Sequence, residues 1–248
     1  MSNKPSHHNS ASAKVRAASS GGRSNTMWLW GGLVVLVVIV GVVAVIIGRS
    51  SDSGSGSGGS SSASGGTVVP NGSLEYGSID VLGDRLPDSP DPASGTADPA
   101  LGLTIPTIKG ETFDTSPLTI SPTGKPQVIM VVAHWCPHCQ AEVPRIQDWL
   151  NNNGMPTDVE LVAVATSNNP SRVNFPAGPW LRKEGWSVPT IIDDKDSHAG
   201  QALGVTGFPD FIVVDKDGKV VFRTSGEITI PQWESLLQSA RTGQAPTG

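Results

Sequence analysis

The chain of 248 residues contains two cysteines, and both lie in Trp135-Cys136-Pro137-His138-Cys139. Two thiols separated by two residues suit thiol-disulfide exchange, in which one sulfur attacks a disulfide as the thiolate and a second, one helical turn away, resolves the mixed disulfide. The attacking sulfur needs a site that favours its anion. A helix amino terminus provides one through its unpaired N–H groups and the positive end of its dipole. Gln127 to Ala133 reads as a buried strand after a Gly-Lys-Pro turn, and Pro137 to Asn151 carries Ala141, Val143, Ile146 and Leu150 at helical spacing. The motif therefore falls where a strand runs into a helix. Cys136 is expected at the cap position, partly exposed, as the nucleophile, with Cys139 more buried on the same side. Pro137 suits the first helical turn, where a missing N–H costs nothing, and His138 would add a donor or a positive charge beside the Cys136 sulfur.

Two other readings of the cluster stay open. A purely structural disulfide would close only a two-residue loop and remove little entropy from the unfolded chain. Metal binding, including copper handling by a thiol pair, would draw on His134, Cys136, His138 and Cys139, four potential ligands within six residues. Crowded at the start of one helix, they converge poorly on a tetrahedron, and no second cysteine pair exists. The expectation is no metal and no cofactor. His134 is expected at the strand end as a surface residue, and His7, His8 and His198 carry no pattern.

The elements that must hold the motif follow from apolar periodicity. Val159 to Ala165 reads as a second buried strand, Pro179 to Glu184 as a short helix, Thr190 to Ile192 as a short strand and Ser197 to Leu203 as a further helix. Phe211 to Asp215 and Lys219 to Arg223 flank Lys216-Asp217-Gly218 as a hairpin. Ile230 to Thr242 places Ile230, Trp233, Leu236, Leu237 and Ala240 on one side of a closing helix. A mixed sheet flanked by helices, an α/β sandwich, is the predicted class, over residues 101–244.

The rest of the chain reads differently. Net charge is −5 with no basic stripe, which excludes the footprint of a nucleic-acid binder. From Met27 to Gly48, 22 residues carry no charge, enough for a helix of about 33 Å that crosses a bilayer core. A cleaved secretory signal would have a shorter apolar region, about 7 to 15 residues. Residues 1–26 hold Lys4, Lys14, Arg16 and Arg23 and no acid, so the positive-inside rule keeps this tail in the cytoplasm and places everything after Gly48 outside. Ser50 to Gly66 is nearly all Ser and Gly, a flexible tether of roughly 23 Å reach. Residues 49–100 as a whole are expected to be a disordered linker, with one short strand near Ile79 to Leu82.

Trp135-Cys136-x-x-Cys139-x-x-Glu142-x-Pro144 resembles the active-site segment of the TlpA, ResA and DsbE group of thioredoxin-like proteins, within the wider redoxin and AhpC-TSA-like set. Val205-Thr206-Gly207-Phe208-Pro209-Asp210 and the strand and hairpin after it are similar to that group's cis-proline segment. The resemblance implies a three-layer thioredoxin-like sandwich behind the membrane helix. It implies that Cys136 attacks, Cys139 resolves, Glu142 tunes proton exchange, and Pro209 is the cis-proline, with Trp135, Pro137 and Phe208 framing the site. Pro189 is the competing proline, but no long strand and Gly hairpin follow it. Phe208 and Asp210 depart from the pattern, where a small residue and Thr are more usual, and Met130 stands where cytoplasmic thioredoxins resemble one another in having a buried acid. The implied substrates are thiols or disulfides of exported or membrane proteins, with a membrane electron-transfer partner recycling the pair. Direction stays open: the group suggests a reductase, as in cytochrome c maturation, while Pro137-His138 resembles the dipeptide of the oxidant DsbA.

Overall fold

The computed structural model describes residues 73–246. The basic tail, the apolar run 27–48 and the Ser/Gly tether lie outside the described residues. Among those described, no helix is long and apolar enough to cross a membrane.

The centre of the domain is the strand β4 (Gln127–Val132), buried at every position. Its run of Val, Ile and Met has no polar face because both sides of the sheet are covered. It pairs in parallel with β5 (Glu160–Ala165), which pairs in parallel with β6 (Thr190–Ile192). On its other edge β4 pairs antiparallel with β7 (Asp210–Val214), and β7 with β8 (Val220–Ser225), completing the expected hairpin. Beyond β6 lie β2 (Thr107–Thr112), β1 (Asp80–Leu82) and β3 (Pro117–Ile120), the last two on opposite edges of β2.

The helices α1 (Pro137–Asn153), α2 (Ala177–Lys183) and α4 (Ile230–Thr242) pack on one face through Val143, Ile146, Trp180, Leu181, Trp233 and Leu236. Thr229 and Gln232 close a capping box at the start of α4. The opposite face is covered by α3 (His198–Ala202) and by Leu86, Ala100 and Ile105 of the preceding chain. The sandwich has three layers, and much of the third is not helical.

That layer corrects the expected linker. The folded unit was expected from residue 101, yet from Ser73 onward the chain is packed on the domain, with Leu74, Leu86 and Ala100 buried. Leu86 and Ser89 donate backbone hydrogen bonds to Ala202 and Gly204, and Arg223 pairs with Asp98 at 2.5 Å. The apolar residues here are sparse: Leu86 and Ala100 fill the face beside the single short helix α3, Leu74 joins the core on the other face, and Leu82 stays exposed. The strands β2 and β3 were not among the elements read from the sequence. Gly110 breaks the apolar pattern of β2 because a Cβ there would come within 2.7 Å of the Ile191 side chain.

Candidate active site

The turn from β4 into α1 brings the motif to one end of the sheet. Cys136 is the N-cap of α1 with an extended backbone, and Pro137 takes the first turn. The Cys136 Sγ faces the Phe208 carbonyl at 3.6 Å, and the Phe208–Pro209 peptide is cis. Pro189, before β6, is not cis. Trp135 meets the Phe208 ring edge to face, with centroids 6.1 Å apart. The strand-to-helix turn and the loop before β7 thus meet at the Cys136 sulfur.

Cys136 is less accessible than its spacing suggested. It was expected to be partly exposed, but only 6% of its surface is free, because the Phe208 carbonyl and the cis-proline loop cover the sulfur. Cys139 is fully buried and accepts the Ala133 N–H at 3.4 Å. Burial, above all, raises the pKa of its thiol, with smaller raising effects from Cys136 and from the charge of Glu142. Both cysteines are free thiols.

Glu142, fully buried one turn beyond Cys139, accepts from Arg145 Nη1 at 2.7 Å and from the Ile228 N–H at 3.2 Å through one oxygen. The other oxygen has no partner. Desolvation pushes its pKa above the ordinary carboxylate value, against the pull of Ile228 and Arg145. A buried acid with a raised pKa beside a buried thiol can accept or release a proton there.

His138 lies elsewhere than expected. Its Nδ1 pairs with Glu227 at 2.7 Å rather than turning to the sulfur, and Glu227 also receives Arg145. His138 and Arg145 hold the Glu227 carboxyl below its ordinary pKa. A chain of contacts therefore runs from exposed His138 through Glu227 and Arg145 to buried Glu142. Arg145 and Glu227 had no signal in the sequence, since 82 residues separate them.

His134 is also corrected. It is fully buried, with Nδ1 on the Val173 carbonyl at 2.7 Å and Nε2 accepting from the Asn169 N–H at 3.1 Å. One ring nitrogen accepts, so the ring is neutral with the proton on Nδ1, and burial lowers its pKa. With both ring nitrogens engaged by backbone, His134 has no free ligand atom, so the four-ligand cluster does not form. No group of three metal-capable side chains occurs among the described residues.

Asp210, directly after the cis-proline, is fully buried on the far face of the sheet, and neither carboxylate oxygen completes a hydrogen bond. Burial pushes its pKa up to about 8, against Arg223 and the nearby Ser89 hydroxyl, with Asp98 adding to the rise. It occupies the position that departs from the resembled pattern.

A family model described as Redoxin matches residues 96–237. The thiol:disulfide interchange protein DsbE of Yersinia pestis is 29% identical over 144 residues, covering 55% of this chain and 70% of that protein. The protein of the same name from Pasteurella multocida is 28% identical over 115 residues, covering 46% of this chain and 59% of its own length. This chain therefore spans about three fifths of the Pasteurella relative. A DsbF homologue from Corynebacterium diphtheriae superposes with a TM-score of 0.50 at 20% identity, covering 63% of this chain and 99% of that one, a likeness of fold.

Proposed function

The chain belongs to the Redoxin family, and on that premise we propose that it is a DsbE-like thiol-disulfide oxidoreductase working on protein substrates. The observation that carries this reading is the placement of the Cys136 sulfur at the start of α1 against the carbonyl that precedes cis-Pro209. In the reductive direction the Cys136 thiolate attacks a substrate disulfide, forming a mixed disulfide and releasing one substrate thiolate. Cys139, losing its proton to Glu142 or water, then attacks the Cys136 sulfur and releases the second substrate thiolate. Two electrons pass to the substrate and a Cys136–Cys139 disulfide remains. A dithiol donor, which we take to be a membrane electron-transfer protein, returns the pair to the reduced state.

Reduction is favoured over DsbA-like oxidation because the His138 Nδ1 pairs with Glu227, so the ring is turned to that carboxylate rather than to the sulfur. Copper carriage is disfavoured because His134 is committed to backbone groups. The domain is taken to be extracytoplasmic, tethered through residues 27–48, since a reducing cytoplasm would keep both thiols reduced without a dedicated donor. Two measurements test the reading. Reduction of a disulfide-bonded protein substrate should be lost in Cys136→Ser and should trap a mixed disulfide in Cys139→Ser. Equilibration of the pair with glutathione should give a potential closer to thioredoxin than to DsbA, and a potential near about −120 mV would reverse the direction.

A further inference from the structure

Every described arginine except Arg172 forms an ion pair: Arg85, Arg145, Arg182, Arg223 and Arg241 each meet a carboxylate. Arg172 instead lies with its guanidinium 4.9 Å over the ring of Trp135, the residue before the attacking cysteine. We propose that Arg172 and Lys195 select protein substrates by taking an acidic side chain close in sequence to the substrate's reactive cysteine. The proposal rests on the oxidoreductase reading above and names the substrate class of that same site.

The binding surface is built in advance. Trp135 Nε1 donates to the Ser167 carbonyl at 2.8 Å, and the neutral His134 ring holds Asn169 and Val173 of the same loop. Asn174 Nδ2 adds a bond to the His134 carbonyl, and Phe175 packs between the rings of His134 and Tyr76. The loop that carries Arg172 is thus fixed to the two residues preceding Cys136. Arg172, Lys195, Trp135, Tyr76, Ser167 and Asn169 line one pocket of about 470 Å³.

The pocket has cations without anions. Lys195 has no ion-pair partner among the described residues, and the acids nearest it in sequence are turned to other tasks. Asp193 is buried and accepts from Thr166 and from the N–H groups of Asp194, Ala199 and Gly200, and Asp194 pairs with His198. Asp196 and Glu75 adjoin the lining residues Lys195 and Tyr76 in sequence and do not themselves line the pocket, although the Glu75 charge acts on the Tyr76 phenol. A guanidinium held flat on an aromatic ring keeps its outward N–H edge for a carboxylate, and arginine suits that fork geometry better than lysine does. Because Trp135 also touches Phe208, a substrate strand beside the cis-proline would run past this pocket within a few residues of its cysteine.

The test uses the full chain in detergent micelles and three oxidised peptides that differ only in having Asp, Asn or Lys three residues from the cysteine. The Asp peptide should exceed the Lys peptide about fivefold in kcat/KM, roughly 1 kcal/mol, an increment expected of two exposed cation pairs. The preference should shrink in about 0.5 M salt and invert in Arg172→Glu/Lys195→Glu. A second arm needs no redox chemistry: cysteine-free Ser versions are titrated while the Trp135 indole N–H is followed by NMR. The Asp version should shift that signal at the lowest concentration. Equal kcat/KM for all three peptides, or equal titrations, overturns the proposal, and so does an indole shift produced by anionic phospholipid vesicles but not by the Asp peptide. Loss of all exchange with the titration preference intact would instead refute the oxidoreductase reading.

Discussion

Asp210→Asn is the substitution whose effect the structure determines most directly. In the unfolded chain this carboxyl ionises near its ordinary value of 3.8, whereas in the folded protein burial moves it to about 8. A group whose folded pKa is raised contributes stability that is complete below its unfolded pKa and is lost as pH rises toward the folded one. Between pH 5 and 7 the unfolded state is ionised and the folded state still protonated, so unfolding releases a proton and the native state loses about 1.4 kcal/mol per pH unit. Over that interval the contribution is roughly 2.7 kcal/mol, and the whole span from 3.8 to about 8 sets a ceiling of about 6 kcal/mol. Asparagine cannot ionise. Its buried amide brings its own unpaired-group penalty, but that penalty does not depend on pH and cancels from the slope. The assay is urea unfolding of the reduced protein and of Asp210→Asn at pH 5, 6, 7 and 8, with the difference in stability plotted against pH. Glu142 and Asp193, whose pKa values are also raised by burial, contribute equally to both proteins and drop out. The variant should gain on the parent by at least about 2 kcal/mol from pH 5 to pH 7. Parallel curves would mean that Asp210 ionises in place, and the account of its burial would be wrong.

Other consequences can be checked in the same material. Glu142→Gln removes a charge that raises the Cys139 pKa, so in a Cys136→Ser background alkylation of Cys139 should begin at lower pH than with Glu142 present; an unchanged onset would remove Glu142 from the proton path. Asp98→Ala leaves the buried Arg223 guanidinium without its carboxylate and should cost about 3 kcal/mol in urea unfolding near pH 6, and less at pH 9, where the Asp210 anion can take over the pairing. For the anchor, the full-length protein should fractionate with membranes, external protease should remove the domain from cells without a wall barrier, and deletion of residues 1–48 should yield a soluble active fragment. Protection of the domain, with cleavage of a tag at residue 1, would reverse the orientation.

What the sequence disclosed, and what it hid, divides along the range of the interactions. The motif at the head of α1, the buried strand before it, the hairpin of β7 and β8 and the amphipathic α4 are set by residues within a few positions of one another, and their patterns could be read directly. The partners of those residues could not. His134 looked like a surface histidine because nothing within the motif engages it, yet its two nitrogens are taken by Asn169 and Val173, 35 and 39 residues away. His138 looked like a neighbour of the sulfur because it is one in sequence, and it turns instead to Glu227. The stretch from Ser73 to Ala100 reads as linker by composition, because one leucine in ten residues has no period, and it folds because Leu86 finds a place on the sheet face beside the short α3 and Leu74 one in the core of the other face. Asp210 shows the same division at one position. Its departure from the resembled pattern was visible in the sequence, but its consequence, an acid closed between β8 and the preceding chain, exists only once that chain has packed against Arg223. The placement of the cysteine pair is thus local and readable, while what surrounds it, the loop that carries Arg172 included, is assembled by contacts between segments far apart in the chain. The residues that choose a substrate are therefore to be sought in that assembled surface.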